Sequence, residues 1–269
     1  MPLSKEDHGK IEKVVGYLVE ARSILFITGA GVSADSGLPT YRGVGGLYDE
    51  ADTDDGVPVE MAMAGRMLRT NPEITWKHLA RIEQAARGKT FNRAHEVIAE
   101  VERRFPRVWV LTQNVDGFHR MAGSRNVIDI HGDCRELTCM RCDYRTTVKD
   151  YVALEIPPRC PKCRHTVRPD VVLFGDLIPP EKVQALQREV ARGFDLIFSV
   201  GTTSVFPYIA QPVINARFSG IPTVEINPGL TEVSFVVDVR IAGGAAETLD
   251  AIWRRYQEGQ PVRHPGRKG

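Results

Sequence analysis

Apolar residues recur at Ile11, Val14, Val15, Leu18 and Val19, the spacing of one face of a helix, so the chain is predicted to open on an amphipathic helix. The pattern then changes. Ser23-Ile24-Leu25-Phe26-Ile27-Thr28 is short and almost wholly apolar, and it reads as a buried strand. Four similar runs follow: Val108-Trp109-Val110-Leu111, Val171-Val172-Leu173-Phe174, Leu196-Ile197-Phe198-Ser199-Val200 and Thr223-Val224-Glu225-Ile226. Helical patterns lie between several of them, one through Val183, Leu186 and Val190 and another through Leu249, Ile252 and Trp253. Apolar strands that alternate with helices predict an α/β fold, with a parallel sheet covered by helices on both faces.

Two stretches break the alternation. Residues 41–89 hold a loop rich in glycine and aspartate, then two predicted helices around Met61–Leu68 and Asn71–Ala86. Residues 136–166 hold prolines, little periodicity and two close cysteine pairs, Cys139-x-x-Cys142 and Cys160-x-x-Cys163, with 17 residues between the pairs. These insertions are predicted to form a smaller second lobe, with a cleft between the lobes as the place for a ligand. The main domain then comprises residues 1–40, 90–135 and 167–257, and residues 258–269 are predicted to be a disordered tail. Four thiolates in two such pairs can hold a tetrahedral zinc ion, and no position is left open for catalysis. Two disulfides or free thiols are the alternatives, and His165 is an alternative ligand. Cys134 is left over and reads as a small buried residue rather than a nucleophile.

The first strand runs straight into Gly29-Ala30-Gly31-Val32-Ser33-Ala34-Asp35-Ser36-Gly37. Gly29-x-Gly31-x-x-Ala34 matches the dinucleotide fingerprint, in which glycines admit a tight turn and bring the backbone close to a pyrophosphate. The acidic residue expected some 20 positions on would fall near Asp49 or Glu50, inside a loop, so the ribose is predicted to be held otherwise. Two more segments carry chemistry: Thr112-Gln113-Asn114-Val115-Asp116-Gly117 and Ile130-His131-Gly132-Asp133-Cys134. They set an amide, a carboxylate and an imidazole beside that loop. An imidazole titrates near neutrality, which suits His131 to general base work. Asn114 is also suited to a turn, and Asp116 to capping a short helix.

Composition narrows the class. Lys plus Arg is 35 and Asp plus Glu is 34 in 269 residues, a formal net charge of +1, so neither nucleic acid nor an anionic membrane is expected as a partner. Met1-Pro2-Leu3-Ser4-Lys5-Glu6-Asp7 lacks the apolar core of a signal peptide, and no apolar run approaches membrane-spanning length. A cytoplasmic location is the expectation.

The segments together resemble the sirtuin family, in family order over roughly residues 5–255. Gly29 through Arg42 is similar to the sirtuin cofactor loop, Thr112–Gly117 and His131-Gly132 to the catalytic segments, and the cysteine pairs to the zinc module. The resemblance implies a Rossmann-like domain with a smaller zinc-binding and helical lobe. It implies that NAD is consumed in removing an acyl group from protein lysine, giving nicotinamide and an O-acyl-ADP-ribose. On it, His131 and Asn114 are catalytic. Gly29, Ala30, Gly31, Ser33, Asp35, Thr40, Arg42, Gln113, Asn114, Val115, Asp116, Gly201, Thr202, Thr203, Ser204, Asn227 and Ala242 are cofactor contacts. Val172, Phe174, Gly175 and Asp176 fall in the substrate-pairing segment, structural zinc falls to Cys139, Cys142, Cys160 and Cys163, and the loop from Pro39 to Gly56 is expected to act as a lid.

The chain departs from the family at Tyr41, where phenylalanine is usual, and at Pro228-Gly229 after Asn227. Sirtuins that prefer acidic acyl groups carry a tyrosine and an arginine three apart in the helix after the lid. Leu79 and Ile82 stand there instead, so neutral acyl groups, acetyl or longer, are expected. The same two residues also suit plain helix core. An ADP-ribosyltransferase or NAD hydrolase on the same scaffold, or a zinc-ribbon binding module, are the competing functions.

Overall fold

The computed structural model of the protein describes residues 5–40 and 55–259. Tyr41, Arg42, most of the expected lid and the tail from residue 260 lie outside the described residues. Nine strands are seen among those residues: β1 (Ser23–Thr28), β2 (Arg107–Thr112), β3 (Val127–Asp129), β4 (Gly132–Cys139), β5 (Arg145–Thr147), β6 (Val167–Val171), β7 (Leu196–Val200), β8 (Thr223–Ile226) and β9 (Val239–Ile241). The helices are α1 (Lys5–Glu20), α2 (Val59–Ala62), α3 (Gly65–Thr70), α4 (Pro72–Ala86), α5 (Arg93–Arg104), α6 (Phe118–Met121), α7 (Pro180–Ala191), α8 (Pro207–Phe218) and α9 (Ala245–Glu258). A 3-10 helix covers Ala30–Ser36.

Six strands form a parallel sheet in the order β3-β2-β1-β7-β8-β9. The chain builds outward from β1 on one side, then returns to build on the other, so the order reverses between β1 and β7. Such a switch point opens a crevice at the carboxyl ends of the strands. Successive residues point to opposite faces. Ile24, Phe26, Val108, Val110, Phe198 and Val200 therefore pack with α1, α5 and α9, while Leu25, Ile27, Leu111 and Ile197 pack with α7 and α8. Both faces are covered, as the continuous apolar runs require.

The register puts the strand ends in one row. Thr28 stands opposite Thr112 and Val200, Thr112 opposite Asp129, Val200 opposite Ile226, and Ile226 opposite Ile241. The loops after β1 and β7 cross at that row with almost no space between them. Gly29 N donates to Val200 O at 3.2 Å and Gly31 N to Gly201 O at 2.8 Å. A Cβ on Gly31 would lie 2.7 Å from Gly201 Cα, and one on Gly201 (φ 59°) would lie 2.4 Å from Val32 N.

The small lobe has its own core. Strands β5-β4-β6 make an antiparallel sheet. Met63, Leu68, Trp76 and Leu79 of the helical insertion pack on Leu137, Tyr151, Val167 and Leu173. The fully buried Trp76 donates from Nε1 to Val167 O at 2.9 Å and meets Tyr151 edge-on. The sheet reaches from Gly132 to Val171, further each way than the expected 136–166.

Two expectations need correction. Val171–Phe174 is not a strand of the parallel sheet: Val171 ends β6, an edge strand of the small sheet that carries Pro169, a residue tolerated only at such edges. Met61–Leu68 is not one helix. It breaks between α2 and α3 because Phe174 N donates to Met63 O and Gly65 N to Phe174 O, at 3.1 and 3.0 Å. Tertiary pairing there overrides the helical period. Strands β3 and β9, three residues each, are too short to have shown a period.

The glycine crossing yields a stability prediction. Gly201→Ala adds a left-handed residue and an overlap with backbone, so a loss of roughly 2–4 kcal/mol is expected from urea unfolding. An unchanged midpoint would show that the two loops have room to part.

Candidate functional site

A cleft of about 1600 Å³ runs along the row of strand ends and between the lobes. It exceeds the roughly 300–1,000 Å³ usual for one small ligand, as a site for a dinucleotide plus a second chain must. Gly29, Ala30, Gly31, Asp35, Thr40, Gln113, Asn114, Val115, Gly201, Thr202, Thr203 and Asn227 all line it. Its loops are tied to one another. Gln113 Nε2 donates to Thr202 Oγ1 at 2.7 Å, Asn227 Nδ2 to Thr202 O at 3.1 Å, and Ala246 N to Asp35 Oδ2 at 3.1 Å. Asp35 therefore anchors the cofactor loop to the start of α9, where a carboxylate also meets the helix dipole.

His131 follows β3 and faces the cleft. Ile130 N donates to Thr112 O and Val172 N to His131 O, so backbone holds it from both sides. Its Nδ1 lies 3.0 Å from Gln113 O. A carbonyl can only accept, so Nδ1 carries the proton and Nε2 keeps its lone pair. Burial holds the imidazole below its ordinary value, against the hydrogen bond to Gln113, and Lys182 adds to the lowering. The residue is thus a neutral base at pH 7. Gly132 (φ 96°) lets the chain turn at once into β4, passing so close to Asp170 that a Cβ would overlap its carbonyl.

Asn114 is buried and held from behind. Its Nδ2 donates to Ser33 Oγ at 3.1 Å, and Ser33 Oγ donates to Asp116 Oδ2 at 2.8 Å. Asp116 also accepts from Phe118 N, the first residue of α6, at 2.9 Å, while the N-cap position itself is Gly117. Burial raises the Asp116 carboxyl, while the Phe118 and Ser33 donors oppose that. Behind them lie two buried histidines. His95 Nδ1 accepts from Asn92 N at the start of α5 and its Nε2 lies 3.5 Å from Ser33 Oγ. His119 Nε2 lies 2.9 Å from Thr28 Oγ1.

Four predicted contacts do not line the cleft. Ser33, Asp116 and Ser204 sit behind its wall, and Ala242 is exposed beside it, the wall there being Gly243, Gly244 and Ala245. Arg42 lies outside the described residues. In the substrate segment, Val172, Phe174, Gly175 and Asp176 line the cleft. Phe174 spends its backbone N–H and C=O on Met63 and Gly65, and Asp176 is paired with Arg168 at 2.8 Å and Arg69 at 3.4 Å. Leu79 and Ile82 line the cleft with Met63, Val115, Cys134 and Leu173, an apolar wall; Arg81 is exposed and off that wall. Burial pushes the Cys134 thiol up to about 12, which makes it no nucleophile. Phe206 and Tyr208 beside His131 are site residues that the sequence motifs did not single out.

The sulfurs of Cys139, Cys142, Cys160 and Cys163 lie within 4.8 Å of one another, with Cys139–Cys163 and Cys142–Cys160 at 3.5 Å. All are free thiols, which removes the disulfide alternative, and His165 is not in the cluster. Thiolates 2.3 Å from a tetrahedral zinc ion stand about 3.8 Å apart, so the donor set fits zinc with no place left for substrate.

A family model described as the Sir2 family matches residues 29–207. The chain belongs to the Sir2 family. This sirtuin is 45% identical over 250 residues to NAD-dependent protein deacylase 2 of Pseudomonas aeruginosa, covering 92% of this chain and 97% of that one. It is 36% identical to NAD-dependent protein deacylase 1 of Archaeoglobus fulgidus, over 92% and 98% of the two chains. Its fold is similar to that of a Sir2 homologue in complex with NAD (TM-score 0.82, 35% identity, 92% and 94% covered) and of a Sir2 homologue mutant in complex with ADP-ribose (TM-score 0.84, 34% identity, 92% and 96% covered).

Two predictions follow from the site of this sirtuin. Metal analysis is expected to find one zinc per chain, and Cys160→Ser to lose the metal together with ordered signals from the small lobe; a folded, metal-free lobe would refute a structural ion. The second concerns acid. Burial lowers His95 from 6.5 to about 4 and lowers His119 well below its ordinary value, with His95 beside it a smaller cause. Protonated His119 would also bury an N–H at Nδ1, which has no acceptor among the described residues. The unfolded chain takes these protons near 6.5 and the folded one does not, so stability is intact above pH 6.5 and falls toward pH 4. Denaturant midpoints at pH 7, 6 and 5 measure this. His95→Gln should flatten the fall, and an equally steep fall would acquit that histidine.

Proposed function

We propose that this sirtuin removes acyl groups from protein lysine with consumption of NAD. The observation that carries the reading is His131: a neutral base that lines the same cavity as the glycine crossing and the apolar wall, with Nδ1 fixed by Gln113 and Nε2 against Tyr208. Bound NAD supplies the glycosidic bond whose cleavage leaves an electrophilic sugar carbon. The chain's own groups do the rest. Gly29, Gly31 and Gly201 leave backbone, not side chains, against the pyrophosphate. Asn114, fixed by Ser33, orients the ribose end. His131 takes a proton from a ribose hydroxyl as that hydroxyl attacks the acyl carbon. The apolar wall keeps water from the sugar carbon.

Leu79 and Ile82 support a neutral acyl group, acetyl or longer, because a carboxylate on that wall would meet no Lys or Arg among the described residues that line the cleft. A net charge of +1 supports a protein substrate over nucleic acid. No described helix is long and apolar enough to cross a membrane. Four reduced thiols in the metal cluster support a reducing compartment, and we place the enzyme in the cytoplasm.

Incubation with NAD and a panel of acyl peptides tests the reading. O-acyl-ADP-ribose is expected, formed faster from acetyl and longer apolar chains than from succinyl. His131→Ala should lower its formation by about 100-fold or more while the thermal transition is kept. Free ADP-ribose or labelled protein as sole product would point instead to NAD hydrolysis or ADP-ribosyl transfer.

A further inference from the structure

The base in this cleft already has a partner. Tyr208 Oη lies 2.7 Å from His131 Nε2. With Nδ1–H committed to Gln113, that nitrogen can only accept, so the phenol is the donor. A neutral imidazole has one lone pair, and Tyr208 holds it. A ribose hydroxyl must therefore displace the phenol or act through it.

The surroundings favour the second course. Tyr208 sits in the first turn of α8 directly after Pro207, so its backbone is fixed. Its ring stacks on Phe206 at 5.5 Å and 13°, and it packs against the core under α8. Both rings stand edge-to-face to His131, at 86° and 83°. Displacing the phenol means turning a ring out of a stack. Acting through it needs no movement: a hydroxyl that donates one proton still has lone pairs with which to accept another, and Tyr208 lines the cleft itself.

We propose that Tyr208 is a second catalytic residue, relaying the proton from the ribose hydroxyl to His131. As the ribose oxygen attacks the acyl carbon, its O–H bond breaks and its proton joins Tyr208 Oη. The Tyr208 O–H bond breaks in the same step, and that proton joins Nε2. The phenol ends neutral, the imidazole becomes imidazolium, the released electron pair forms the new carbon–oxygen bond, and the π pair of the acyl carbon, held as C=N once the acyl oxygen is bonded to the sugar carbon, withdraws onto the lysine nitrogen. Burial pushes the phenol up to about 12, which suits a carrier that is never left as an anion. As the bond from the acyl carbon to the lysine nitrogen then breaks, the imidazolium gives its proton through the phenol to that departing nitrogen, and both side chains return to their starting state.

The relay rests on the deacylase reading, and the test separates the two. Cleavage of the nicotinamide bond precedes the relay, so labelled-nicotinamide exchange into NAD reports on everything but it. Tyr208→Phe keeps the stacked ring. It is expected to lower deacylation about tenfold or more and to lower exchange far less. A proton inventory of deacylation in mixed light and heavy water should be curved for the unaltered enzyme, two protons moving together, and linear for the variant. The inventory of the unaltered enzyme needs no substitution to fold. A linear inventory there would overturn the relay, as would deacylation by Tyr208→Phe at an equal or higher rate, which would make the phenol a cap that leaves. Equal falls in deacylation and exchange would overturn it too, as the mark of a structural role. If the unaltered enzyme forms no O-acyl-ADP-ribose, the deacylase reading fails first and the relay with it.

Discussion

Everything in the cleft depends on how closely two turns can pass. The loops after β1 and β7 meet backbone to backbone at Gly29, Gly31 and Gly201, joined by hydrogen bonds of 2.8–3.2 Å. Only backbone and the small Thr202 side chain stand at the contact, so the two central strands end side by side and the crevice between them stays open to a ligand. The parallel register then carries the same level outward through Thr112, Asp129, Ile226 and Ile241. Residues far apart in the chain, such as Asn114, His131 and Asn227, thus come to one rim without being neighbours in sequence.

That rim is chemically graded. At the glycine crossing the wall is peptide backbone, suited to phosphate. At Asn114 and His131 it is polar, with the amide braced by Ser33 and the imidazole by a carbonyl and a phenol. Toward the small lobe it becomes Met63, Leu79, Ile82 and Leu173, suited to an acyl chain.

Much of this could be read from residue order. Long apolar runs gave the central strands, and the glycine, Asn114 and His131 segments fell at their ends. Paired cysteines announced their cluster because metal geometry restricts spacing so tightly. Other features were illegible for physical reasons. Strands β3 and β9 offer too few residues for a period. The break between α2 and α3 comes from a partner more than a hundred residues away, Phe174, which no local preference records. Ser33, Asp116 and Ser204 belong to the motifs yet point behind the wall, since a motif marks a segment and not the direction of each side chain. Tyr208 lay in no motif at all; only the fold sets it against His131.

The tie between Asp35 and Ala246 spans nearly the whole chain. The loop after β1 is made 211 residues before the helix start that anchors it. Strands β7, β8 and β9, which supply the other half of the rim, also come late. A chain still emerging from the ribosome can hold β1, its glycine turn and even His131 without possessing a cleft. A complete cleft therefore exists only once α9 has been made, and a chain broken off before it has half a rim.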